Sequence, residues 1–167
     1  STVVFNQNEP IVFAEYAMET AEACRERGIF TACATSAFIH LKAARAFFRR
    51  MNAVNVSLKS FSDDFYKSEC GGQLAPVLDV LAHLKHESAC HLEINTLLIA
   101  GKNDSVKELS ALATFIYQEL GAEVPLTFSV ENARQHGEIT STHCLFLARK
   151  IAKECGFSSL PYLHAVF

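Results

Sequence analysis

The chain has 167 residues, half of them apolar and 20% charged, with a formal net charge of −3, six cysteines, 13 phenylalanines and no tryptophan. That length holds one ordinary domain with a sizeable core, and the composition excludes a disordered or collagen-like chain. The slightly acidic balance argues against phosphate-driven nucleic-acid binding, and no apolar run approaches the roughly 20 residues a bilayer span needs.

Taken in order, Thr2 to Phe5 reads as a short strand. Phe13, Tyr16, Ala17, Thr20, Ala21 and Cys24 then recur at helical spacing, with Gly28 as the stop. Ile29 to Ala34 predicts a second strand, and a helix follows to about Met51 with Ala44, Phe47, Phe48 and Met51 inward. Ala53 to Leu58 is a third strand, and Ser62 to Glu69 a short helix broken by Gly71-Gly72. Pro76 sits in the first turn of a helix whose inner face carries Val77, Val80, Leu81 and Leu84. His91 to Ile99 is a fourth strand. Ser105-x-x-Glu108 is a capping box, opening a helix through Val106, Leu109, Leu112, Ala113, Ile116 and Leu120 to Gly121. Leu126 to Val130 is a fifth strand, Cys144 to Cys155 a last helix stopped by Gly156, and Leu160 to Val166 a sixth strand.

Buried-type strands alternating with helices argue for the α/β class and a parallel sheet, with right-handed crossovers. A full eight-unit barrel takes roughly 250 residues. The expected fold is therefore a partial parallel (βα) barrel of five to six units, with a small doubly wound sheet as the other solution. No linker or composition shift divides residues 1–167, so one incomplete barrel domain is expected. The scattered cysteines form no C-x2-C or C-x3-C pair and imply reduced thiols in a cytoplasmic protein. Residues 1–20 show no basic segment followed by an apolar stretch, so no signal peptide is expected.

In parallel βα folds, chemistry collects at the carboxyl ends of the strands. Those positions here are Asn6 to Pro10, Thr35-Ser36-Ala37, Lys59-Ser60-Phe61, Ala100 to Asp104 and Val130-Glu131-Asn132. Glu9 can accept from an amino group and Lys59 can pair with a carboxylate, which together suit an amino-acid zwitterion. Read without that chemistry, the same residues are solvated loop positions and helix caps.

An ordered series of motifs narrows this. Asn8-Glu9-Pro10, then N-V-x-L-K-x-F-S-D-x-F-Y from Asn55 to Tyr66, then Cys70-Gly71-Gly72, then T-L-L-I-x-G-x-N-D-S from Thr96 to Ser105, resembles the radical S-adenosylmethionine (SAM) enzymes of the AmmeMemoRadiSam system. Those are relatives of the pyruvate formate-lyase activating enzymes. The resemblance runs from about Val3 to Val130, and more faintly to Phe167.

The resemblance implies a radical SAM-like barrel using S-adenosylmethionine and a [4Fe–4S] cluster. Reductive cleavage would yield a 5′-deoxyadenosyl radical that abstracts hydrogen from a protein or small-molecule substrate. It implies cofactor contacts at Asn8, Glu9, Thr35, Leu58 and Lys59. It also exposes departures. The family's T-N-G strand end is Thr35-Ser36-Ala37 here, Ser57 replaces the Asp of D-L-K, Ala100 replaces the Pro of P-G-x-N-D-S, and Val130-Glu131 stand where Arg and His are usual. The C-x3-C-x2-C loop that would hold three irons is not in this sequence. The family places it before the N-E-P strand, so the chain is expected to be a fragment lacking the first unit, or a degenerate copy, and inactive alone. The alternative is a non-catalytic barrel remnant acting as a scaffold or partner-binding domain. A missing first unit would leave the Thr2–Phe5 strand as an open edge prone to self-association.

Other constellations weigh less. His83, His86 and Cys90 have metal-ligand types at helical spacing, but the face they share reads as solvated, and no metal site is assigned. No neighbouring feature depresses the pKa of Lys59 for Schiff-base chemistry. Ser36, Ser57 and Ser129 lack ordered His and Asp partners, and Cys70 reads as structural.

Overall fold

The computed structural model describes residues 1–130 and 163–166. Glu131, Asn132 and the helix expected from Cys144 to Cys155 lie outside the described residues. The chain forms two compact units, Ser1–Ser57 with Ala75–Glu93, and Leu58–Leu74 with Ile94–Phe167.

In the first unit, β1 (Thr2–Phe5), β2 (Phe30–Thr35) and β3 (Ala53–Ser57) pair in parallel and in chain order. The register sets Val4 beside Ala32 and Ala32 beside Ala53. Asn52 ties the strand starts together. Its Oδ1 accepts from the Thr31 amide at 2.8 Å, its own amide donates to the Thr31 carbonyl at 2.9 Å, and its carbonyl accepts from the His91 amide at 2.8 Å. That last bond brings in the start of β4 (His91–Leu98).

The helices form where the sequence spacing predicts. A short 3-10 turn at Pro10–Phe13 leads into α1 (Ala14–Glu26), which ends before Gly28 at φ +64°. In α1, Ala17, Ala21 and Cys24 are buried, but Tyr16, expected inward, is 65% exposed. Tyr16, one position before Ala17, is turned about 100° round the helix from it and falls outside the buried stripe. In α2 (Leu41–Phe48), Ala44, Phe47 and Phe48 are buried, and the two rings meet edge-on at 5.1 Å between centroids. Val77, Val80, Leu81 and Leu84 of α4 (Leu74–Glu87) are buried as expected. His83 and Cys90 overturn the expected solvated face, since both are buried. The helix stops at Glu87, so Cys90 is not on it, and His83 packs inward with Nδ1 3.3 Å from the Glu87 carboxylate.

The second unit holds α3 (Asp63–Glu69), the rest of β4, α5 (Val106–Phe115) with a π-turn at Ile116–Leu120, β5 (Leu126–Val130) and β6 (Leu163–Val166). Strands β4, β5 and β6 pair in parallel, again in chain order. Leu109, Leu112, Ala113, Ile116 and Leu120 are buried, whereas Val106 is only half-buried. Half of the expected capping box forms. Ser105 Oγ accepts from the Glu108 amide at 3.3 Å, but the Glu108 carboxylate turns away to take the Ser60 hydroxyl and the Phe61 amide.

The strands differ from expectation in one functional respect. Parallel strands are expected to be buried on both faces. Here only alternate residues are: Thr31, Cys33 and Thr35 in β2, Val54 and Val56 in β3, and Leu92, Ile94, Thr96 and Leu98 in β4. In the first unit the opposite face carries Val4, Phe30, Ala32, Ala34, Ala53, Asn55 and Ser57, all partly or largely exposed. In the second it carries Asn95, Leu97, Thr127 and Ser129, with Ser129 Oγ donating to Asn95 Oδ1 at 3.2 Å. Among the described residues, the buried side chains of β2–β5 alternate with a second set of mixed polar and apolar side chains that stay partly or largely exposed.

Burial holds the Cys33 and Cys90 thiols neutral, each pushed up to about 12. A free thiol in the unfolded chain ionises from about pH 8.5. The native state then retains protons the unfolded state has lost, so this contribution is complete below that pH and disappears as pH rises toward 12. We expect the unfolding free energy from urea denaturation to fall between pH 8 and pH 10.5, with a slope approaching about 1.4 kcal/mol per thiol per pH unit once the unfolded thiols are ionised. In a Cys33→Ala/Cys90→Ala variant that decline should be markedly flatter; an unchanged slope would refute the assignment.

Candidate functional site at the strand carboxyl ends

Glu9 follows β1 and sits half-buried. Its Oε1 accepts from the Thr35 hydroxyl at 2.5 Å and the Ile11 amide at 3.3 Å, and its Oε2 accepts from the Ser36 amide at 2.8 Å. The carboxylate thus caps the 3-10 turn and ties the carboxyl ends of β1 and β2. A carboxylate offers about four acceptor directions, so one remains on Oε2 for an incoming N–H. Thr35 is brought to Glu9 as the sequence pairing of the two strand ends requires. Its Oγ1 also accepts from the Ala37 amide at 3.0 Å. Ala37 is left-handed at φ +54°, at the position where the family motif carries glycine. A non-glycine residue in that conformation costs about 1–2 kcal/mol. Asn8 is exposed.

Lys59 and Leu58 lie just past β3, in the second unit. The Leu58 side chain is fully buried and its carbonyl accepts from Thr96 Oγ1 at 2.8 Å. The Lys59 amide donates to the Tyr66 hydroxyl at 3.1 Å, and its carbonyl accepts from Asn103 Nδ2 at 2.7 Å. Among the described residues the Lys59 ammonium enters no hydrogen bond or ion pair. Burial pushes the Tyr66 phenol up to about 12, so it is a neutral hydroxyl at any physiological pH.

Asn103, which the sequence offers only as one strand-end position within the G-x-N-D-S run, has a defined role here. It is 1% exposed, accepts from the Ile99 amide at 2.7 Å, and donates to the Leu97 carbonyl at 2.9 Å as well as to Lys59. With Gly101 at φ +71°, Asp104 Oδ1 accepting from the Gly101 amide at 3.0 Å, and Ser105 capping α5, the G-x-N-D-S run is a folded turn in its own right. Tyr66 was likewise legible only as the end of a motif. Its seven-residue distance from Lys59 is the signal that could have found it. The described thiols Cys24, Cys33, Cys70 and Cys90 are all free. Cys70 is exposed beside Lys59, yet its thiol lies above the usual range, because desolvation outweighs the nearby ammonium.

The architecture defines a class: parallel strands alternating with helices in a partial (βα) barrel, with polar residues at the strand carboxyl ends. Comparison with solved structures gives the same answer. A domain of pyruvate-formate lyase-activating enzyme from Bacteroides vulgatus superposes with a TM-score of 0.79 at 18% identity, covering 98% of this chain and 96% of that one. Streptococcus suis SuiB bound to S-adenosylmethionine superposes with a TM-score of 0.71 at 13% identity, covering 98% of this chain and 37% of SuiB. SuiB bound to its precursor peptide SuiA gives 0.69 at 12% identity over 99% of this chain and 38% of that one. The fold is therefore the α/β partial barrel that these chains share. An uncharacterised protein of Methanocaldococcus jannaschii is 31% identical over 127 residues, 76% of this chain. The chain spans 37% of that relative's length. No family model matches the sequence. Among the described residues no helix is long and apolar enough to cross a membrane.

Proposed function

We propose that residues 1–167 are the incomplete barrel domain of a radical SAM enzyme of the AmmeMemoRadiSam type, acting in the cytoplasm on a protein or small-molecule substrate. In such an enzyme, S-adenosylmethionine at a [4Fe–4S] cluster supplies a 5′-deoxyadenosyl radical on reductive cleavage. The cluster thiolates would come from outside this sequence. This chain's part is to bind and orient the methionine moiety.

The observation that carries the reading is the state of Glu9. Three donors hold its carboxylate at the β1 end, and one acceptor direction remains on Oε2 for an ammonium. Lys59, its ammonium uncommitted, supplies the charge for a carboxylate. Asn8 and Thr35 belong to the same strand-end group, Thr35 by holding Glu9. Leu58 contributes through the backbone it shares with Lys59. A carboxylate and an ammonium are the residue types an amino-acid zwitterion calls for. The SuiB structure with precursor peptide makes a peptide a reasonable substrate class here.

The test is titration calorimetry of the chain with S-adenosylmethionine. Replacing Lys59 by alanine should raise Kd about tenfold, equivalent to about 1.4 kcal/mol. Glu9→Gln should also weaken binding, since it puts an amide in place of one carboxylate oxygen and removes the charge facing the ligand. No binding by the wild-type chain at millimolar ligand, or unchanged affinity in Lys59→Ala, would overturn the reading and favour a scaffold role.

A further inference from the structure

Beyond the carboxyl end of β3, three successive backbone groups are each held by a side chain. The Leu58 carbonyl takes the Thr96 hydroxyl, the Lys59 amide donates to the Tyr66 hydroxyl, and the Lys59 carbonyl takes the Asn103 amide. All three side chains are almost completely buried. The segment after Lys59 is equally constrained. Glu108 takes the Ser60 hydroxyl and the Phe61 amide, and Ser60 Oγ accepts from the Ser62 amide at 3.0 Å. Ser62 then caps α3 through the Phe65 amide at 3.3 Å, which sets Tyr66 in the first turn of that helix. The chain from Leu58 to Tyr66 is thus a closed loop, with the phenol returning to the residue where the loop began. Within it, among the described residues, the Lys59 ammonium enters no hydrogen bond or ion pair, although its backbone is held on both sides.

We propose that Tyr66 is a positioning residue for Lys59. Its phenol fixes the Lys59 amide, Thr96 and Asn103 fix the flanking carbonyls, and the backbone is left one orientation in which to present the ammonium to an anionic ligand group. The inference rests on the reading that Lys59 meets the ligand carboxylate. A flexible strand end would have to be ordered when ligand binds, and that ordering subtracts from affinity. The clamp completes the ordering during folding. A general stabilising role would let Tyr66 affect affinity whatever residue stands at position 59. A positioning role lets it act only through Lys59.

That difference is measurable in a double-mutant cycle on the 167-residue chain, with S-adenosylmethionine as the probe. Tyr66→Phe keeps the ring and deletes the acceptor, and should raise Kd about threefold to tenfold, as loss of one buried hydrogen bond allows. In a Lys59→Met background the same substitution should change Kd by less than about twofold. An equal effect in both backgrounds, or none in the presence of Lys59, would overturn the proposal. If Lys59→Met leaves Kd unchanged, it is the functional reading that fails. A readout without ligand separates the two further. The rate at which an N-hydroxysuccinimide ester acetylates Lys59, followed by peptide mass spectrometry, should change at least about twofold in Tyr66→Phe and in Thr96→Val. Lys67, which is paired with Asp63, serves as the internal control. An unchanged Lys59 rate in both variants refutes the clamp while leaving the functional reading standing.

Discussion

Asn103→Ala should lower the free energy of unfolding by about 2–4 kcal/mol, because one deletion orphans several buried groups at once. The Ile99 amide loses its acceptor, and the Leu97 and Lys59 carbonyls lose a shared donor. An unmade hydrogen bond inside a protein costs more than a made one contributes, since water cannot enter to replace it. Leu97 and Lys59 are only half-buried, which keeps the total at the lower end of what three orphaned groups would imply. Urea denaturation followed by circular dichroism measures the loss. Asn103→Asp is the informative companion. It keeps an acceptor for Ile99 but turns a charge toward two carbonyls, so it should be no better tolerated than alanine. A loss below about 1 kcal/mol in both would mean that the G-x-N-D-S turn stands without its asparagine.

Phe47→Ala should cost about 3–5 kcal/mol. Phe47 has no exposed surface and meets Phe48 edge-on, so truncation removes both transfer free energy and an aromatic contact and leaves a cavity. Phe47→Leu should cost much less, about 1–2 kcal/mol, because most of the volume is retained. A loss of less than about 1 kcal/mol for Phe47→Ala would show that α2 can collapse into the space. By contrast, Tyr16→Ala removes a ring of similar size that is mostly in water, and it should have little effect on stability.

The comparison between Phe47 and Tyr16 shows where periodicity suffices. Both fall on apolar helical spacing. Phe47 belongs to a stripe with Ala44, Phe48 and Met51, every one of which is buried. Tyr16 neighbours Ala17 and Ala21, which are buried, yet its own ring is 65% exposed. Helical spacing predicts a face but not its width. Likewise, Ser105-x-x-Glu108 marks a helix start correctly, since the Ser105 half of the box is local. It misplaces the Glu108 carboxylate, which finds stronger use on Ser60 and Phe61 almost fifty residues away.

The residues proposed to touch ligand stand out in the sequence because they are polar and follow apolar strands. Glu9, Thr35 and Lys59 are visible for that reason. Thr96, Tyr66 and Asn103 are not, because each sits in a run that scores as strand, helix or turn whatever its side chain bonds to. The left-handed conformation of Ala37 is signalled only by the resemblance, which sets it at a glycine position, since alanine by itself gives no warning of positive φ.

By itself the sequence determined the alternation of strands and helices, their order, most of their boundaries and the inward faces of α2, α4 and α5. All of these depend on hydrophobic periodicity and caps within a few residues. Only the tertiary structure decided that strands β2 to β5 bury one face and bare the other, that His83 and Cys90 turn inward, and that Glu9 spends three of its acceptor directions on the protein. It also decided that the backbone beneath Lys59 is gripped from three sides. The physical reason is the same in each case: these outcomes depend on bonds between groups far apart in the chain, whose partners are chosen by geometry after the elements have packed.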